Sequence, residues 1–141
     1  SAAAPGPIVQ NRAAIDAAFS GDSVGDILAR LAADGSDFAK EEAKAMGQKA
    51  PLSLAVALRQ MQVGAGLSFE EAMRTEFRIV SRICRGPNFY EGVRATIIDK
   101  DQQPAWKPAR VEDVTQAAVD AIFAPLGAEE LDLSGVVETS A

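Results

Sequence analysis

The chain has no histidine and a single cysteine, Cys84, among its 141 residues. A histidine-based triad and the usual zinc-ligand sets are therefore excluded within it, and so is an internal disulfide. It also lacks any apolar run near the roughly 20 residues that span a bilayer as a helix. Positive charge is in deficit, 14 Lys and Arg against 20 Asp and Glu, for a formal net charge of -6. A field of that sign repels phosphate backbones and anionic lipid surfaces, so neither nucleic acid nor membrane is expected as a partner. An anionic partner such as a nucleotide would need a local cluster of Lys, Arg or backbone N–H groups. The opening Ser-Ala-Ala-Ala-Pro-Gly-Pro is too short and not basic enough for a signal peptide. The absence of a starting Met is read as processing or a chosen boundary, and the localisation expected by default is cytoplasmic.

What is present is a chain 48% hydrophobic, enough for one domain with a modest core. Residues 1–10 are expected to be a flexible tail, 11–127 a helical domain, and 128–141 a partly disordered tail. Ile15, Ala18 and Phe19 recur at helical spacing before Gly21. Ser23 then caps a stripe of Val24, Ile27, Leu28 and Leu31, which Gly35 ends. Ser36 and Asp37 cap a more polar helix over 38–49. Pro51 opens another, with Leu54, Leu58 and Met61 on its expected buried face. Ser68-Phe69-Glu70-Glu71 reads as a capping box, followed by a long stripe of Phe69, Met73, Phe77, Val80 and Cys84. Gly86-Pro87 stops it, and Asn88 with Glu91 offers a second, similar restart into Val93, Ala95, Ile97 and Ile98. Residues 99–109 read as an ordered loop. Thr115 caps a last helix, 116–123, and the chain beyond Leu133 is expected to be unstructured. With no Asn-Gly hairpin and no sustained alternation, the fold class is all-α, with about six to seven helices.

No residue stands in a spacing that would make it catalytic. Glu70 and Glu71 are adjacent, hence about 100° apart on a helix, and are read as capping residues rather than a carboxylate pair. Cys84, on an apolar stripe, is expected to be an inert core thiol. Arg74, Arg78, Arg82 and Arg85 are expected to form a solvated face with intrahelical pairs such as Glu71 to Arg74; the alternative is an interface with another domain. Arg94, Lys100 and Lys107 surround Trp106 in sequence, a pattern that would hold a phosphate and stack a base, set against a tryptophan that simply anchors its loop. No metal site is expected.

The segment Phe89-Tyr90-Glu91-Gly92-Val93-Arg94-Ala95, Asp99-Lys100-Asp101 and Pro104-Ala105-Trp106-Lys107-Pro108 resembles the C-terminal signature of 3-hydroxyisobutyryl-CoA hydrolases, a branch of the enoyl-CoA hydratase/isomerase (crotonase) superfamily. The likeness runs upstream through Glu76-Phe77-Arg78, Leu58-Arg59-Gln60 and Pro51-Leu52-Ser53-Leu54 to Asp34-Gly35-Ser36. The acidic pair flanking Lys100, and Trp106 as the aromatic, favour the hydrolase branch. The resemblance implies a parent enzyme acting on a short acyl-CoA thioester, whose βα spiral core holds the oxyanion hole and is not in this chain. It implies that the helical part covers the acyl-CoA site and makes packing or oligomer contacts. It assigns no catalytic residue here, and Lys100, Trp106 and Lys107 as the residues near the CoA nucleotide. No tightly bound cofactor is expected, acyl-CoA being the parent's substrate; the expected partners are the missing core or another copy of the chain, as a homo-oligomer. The alternative is a free-standing, non-catalytic helical interaction module.

Overall fold

The computed structural model describes residues 13, 17–18 and 21–137. The chain divides into two compact units, 1–50 and 51–141. Among the described residues there is no β-strand, and no helix is long and apolar enough to cross a membrane. Among the described residues six α-helices of seven residues or more carry the fold, as the all-α reading expected.

In the first unit, α1 (Val24–Asp34) starts where the Ser23 Oγ accepts the Asp26 N–H at 3.1 Å. It buries Val24, Ile27 and Leu31. Gly35 ends it at φ 68°, a left-handed turn that a side chain would strain. Ser36 caps α2 (Asp37–Gly47), which packs on α1 and buries Ala39 and Met46. Of the earlier helix expected around Ile15 and Phe19, residues 13, 17 and 18 are helical and Ala18 is buried. Ile15 and Phe19 themselves lie outside the described residues, as does the expected tail at 1–10.

The second unit is built on α3 (Pro51–Gly64), α4 (Phe69–Ile83) and α6 (Gln116–Phe123), with α6 packed against both of the others. Val56, Ile79, Val119 and Ile122 form its buried centre, walled by Leu52, Ala55, Ile83, Val114 and Phe123. The capping box is complete: the Ser68 Oγ accepts the Glu71 N–H at 3.2 Å and the Glu71 carboxylate accepts the Ser68 N–H at 3.0 Å. Thr115 caps α6 as expected.

Two expected faces are turned the wrong way. On α3, Leu54 and Leu58 are only half-buried and Met61 is 62% exposed; the helix instead presents Leu52, Ala55 and Val56 to the core. This helix is apolar nearly all round, so spacing alone could not select its inner side. On α4 the expected core stripe of Phe69, Met73, Phe77, Val80 and Cys84 is exposed. The packed side is Thr75, Ile79 and Ile83. Cys84 is thus not a core thiol.

The arginines of α4 are not a simple solvated face either. Arg78 Nε donates to Glu130 at 2.8 Å, Arg85 pairs with Glu129 at 3.6 Å, and Arg82 donates to the carbonyls of Ile122, Ala124 and Pro125. They fasten the segment after α6 onto α4. That segment contains a 3₁₀ turn, Gly127–Glu129, and beyond it a helical turn α7 (Ser134–Val137) where an unstructured end was expected. Its start is favoured by Asp132, which accepts the Ser134 N–H at 2.9 Å.

Candidate functional site

Gly86 and Pro87 start α5 (Pro87–Val93), and no side chain caps it, so the expected second capping box does not form. Asn88 and Glu91 are instead turned onto the following loop. The Asn88 amide clips Lys107 twice, donating to its carbonyl and accepting its N–H, both at 2.8 Å. The Glu91 carboxylate accepts the Ala105 N–H at 2.9 Å. After α5 the chain continues as a π-helical turn, Arg94–Ile98, which carries Thr96, Ile97 and Ile98, the stretch with the least helical signal. Ala95 is fully buried there, whereas Ile97 and Ile98 are 66% and 70% exposed.

Arg94 is the hub of the loop. Its guanidinium donates to Glu91 at 2.7 Å, to Asp99 and Asp101 at 2.8 Å each, and to the Gln103 carbonyl at 3.3 Å. The Arg94 hydrogen bonds, with the Ala105 N–H behind them, hold the Glu91 carboxyl down at about 2. Asp101 is lowered by Arg94 and by the Gln103 N–H, and Arg94 is itself raised by its three carboxylates. Trp106 lies against Gly92, where an added Cβ would stand 3.4 Å from the ring, so a larger residue there would press on the indole. Glu91, Gly92, Arg94, Asp99, Asp101 and Trp106 therefore hold one another. The phosphate-holding role that composition allowed Arg94 is corrected: with three acids around it, the guanidinium carries no spare charge for a ligand.

Of the three residues expected near a CoA nucleotide, Trp106 is half-buried as the anchor of the loop, and Lys100 and Lys107 are exposed. Lys100 has φ 56° and Gln102 φ 57°, a left-handed conformation at both residues that the Arg94 network stabilises on either side. Neither lysine forms an ion pair with a described residue. Lys107 lines a cleft that Lys100 does not. The cleft is bounded by Leu52, Ser53, Arg82, Ile83, Gly86, Pro87, Asn88 and Ile122, and its volume is about 90 Å³. That is well below the roughly 300–1,000 Å³ of a site for a drug-sized ligand. Among the described residues no group of acids and Cys84 is placed to hold a metal. Sequence reasoning missed Arg82, whose position on an arginine-rich helix gave no sign that it would cap α6 and face a cleft.

The profile of the family described as Enoyl-CoA hydratase/isomerase matches residues 1–123. The mitochondrial 3-hydroxyisobutyryl-CoA hydrolase of Gallus gallus is 44% identical over 119 residues, 84% of this chain and 31% of the relative. The corresponding Homo sapiens protein is 40% identical over 117 residues, 83% of this chain and 30% of the relative. The chain thus spans about a third of the length of the curated relatives it matches. Among solved structures, a carnitinyl-CoA dehydratase from Mycobacterium thermoresistibile superposes with TM-score 0.85 at 33% identity, covering 96% of this chain and 38% of that one. An enoyl-CoA hydratase from Rhodobacter sphaeroides does so with TM-score 0.84 at 36% identity, covering 94% of this chain and 39% of that one.

Proposed function

The chain belongs to the enoyl-CoA hydratase/isomerase family, and from that premise we propose that it is the helical C-terminal part of an enzyme that processes a short acyl-CoA thioester, of the 3-hydroxyisobutyryl-CoA hydrolase branch. In this reading the helices cover the acyl-CoA site and make packing or oligomer contacts. The attack on the thioester belongs to residues outside this chain. Lys100 and Lys107 meet the anionic nucleotide end of CoA, held in place by the loop that Trp106 and Arg94 brace.

The observation that carries the reading is the second apolar face of α4. Phe69 is 72% exposed, and Met73, Phe77 and Val80 follow it at helical spacing, all accessible. A continuous apolar stripe of this kind on a small domain marks a surface that another protein surface covers. The thioester-cleaving reading is supported by the 38–44% identity to relatives named as hydrolases.

Light scattering of the isolated chain across a concentration series tests the reading. Self-association that rises with concentration, and that Phe77→Asp abolishes, is expected. A chain that stays monomeric at high concentration and binds no apolar dye would contradict it. For the nucleotide contact, calorimetric titration with coenzyme A should lose its heat in the Lys100→Ala, Lys107→Ala double variant; an unchanged titration rejects those two lysines.

A further inference from the structure

The cleft between α3, α4 and the start of α5 is lined by two cations and no acid. Arg59, Arg78, Arg85, Arg94 and Arg110 each hold at least one carboxylate. Arg82 and Lys107, which both line the cleft, hold none among the described residues. The three carbonyls that Arg82 serves at the end of α6 offset its charge only in part and leave its Nε–H without an acceptor among the described residues. No acid lines the cleft at all. In a protein of net charge -6 this is a local reversal of sign. Beside the two cations lie the apolar side chains of Leu52, Ile83 and Ile122, the last only 8% exposed. Apolar walls of low dielectric concentrate the field of such a pair.

The geometry points to a binding site for a small organic carboxylate, with Arg82 and Lys107 taking the carboxylate and Leu52, Ile83 and Ile122 taking a short hydrocarbon tail. The room, about 90 Å³, holds several waters and suits an anion of about four carbons; it excludes a nucleotide. Inorganic phosphate would satisfy the cations but leave the apolar wall wet. A neutral isostere would fill the wall but leave the two charges without a counter-ion. The site therefore selects for both properties in one molecule, and it shares Lys107, but not Arg82, with the proposed CoA contact.

Sodium isobutyrate, isobutyramide and sodium phosphate are titrated separately into the labelled chain at constant ionic strength, following backbone amide resonances by NMR. Isobutyrate is expected to shift Asn88 and Lys107 saturably, with isobutyramide and phosphate each at least about tenfold weaker. Lys107→Met, at an exposed position with no side-chain partner to lose, should weaken isobutyrate by about tenfold. Ser53→Met, which narrows the cleft without changing its charge, should weaken it too. Equal shifts with phosphate would overturn the carboxylate assignment. Equal shifts with isobutyramide, or undiminished isobutyrate binding in Lys107→Met, would overturn the site.

Discussion

Phe77 and Ile79 are two positions apart in sequence and about 200° apart around α4, which places them on opposite faces. Ile79 is 6% exposed and packs with Val56, Val119 and Ile122; Phe77 is 37% exposed. Ile79→Ala should therefore cost about 2–5 kcal/mol of stability in chemical denaturation, the range for truncating a buried aliphatic side chain. Phe77→Ser in the dilute chain should cost less, on the order of 1 kcal/mol, since only part of its ring is covered. The reverse order would mean that the faces are assigned wrongly. Cys84 lies on the same outer side as Phe77 and is exposed. It should react stoichiometrically with a maleimide in the native state, at a rate close to that in denaturant; protection in the native monomer would contradict its exposure. Sequence periodicity placed Phe77 and Cys84 on one apolar stripe and took that stripe for the core, without singling out Ile79. A long run of large apolar side chains at helical spacing reads as a buried face, whichever side of the helix the core in fact occupies.

Among the elements, the helix starts were the most legible. Ser23, Ser36, Ser68 and Thr115 all cap as their sequence context predicted, because a cap depends on neighbours within three residues. Ser68→Ala should cost about 1 kcal/mol, read by thermal or chemical denaturation. The loop after α5 was legible only as ordered. Its logic depends on contacts across as many as 19 residues, from Asn88 to Lys107, and no local rule predicts those. Glu91, like Asp101, is held below its ordinary value. Its folded value of about 2 lies below the ordinary 4.5, so the stability it contributes is fully present above pH 4.5 and is lost as pH falls toward 2. The single tryptophan, Trp106, lies in this loop, so its fluorescence should stay constant from neutral pH to about 5 and change between about 4.5 and 2. In Glu91→Gln the low-pH spectrum should be present already at pH 7. An unaltered neutral spectrum in that variant would show that Glu91 does not brace the loop.

At the scale of the whole molecule, the all-α class, the family and the position of Lys100, Trp106 and Lys107 on one loop were all readable from the sequence. Which helix faces look outward was not, since α4 carries apolar side chains both on its packed side and on its exposed side. In the proposed reading, the exposed apolar side of α4 and the exposed Ile97 and Ile98 belong to a surface that another protein surface covers. The central claim is that this chain supplies that covering surface and not the chemistry. It is tested most directly by a thiol-release assay with 3-hydroxyisobutyryl-CoA on the isolated, folded chain. The account predicts no hydrolysis above the uncatalysed rate at any concentration of the chain. Saturable turnover proportional to protein, retained through purification, would contradict it.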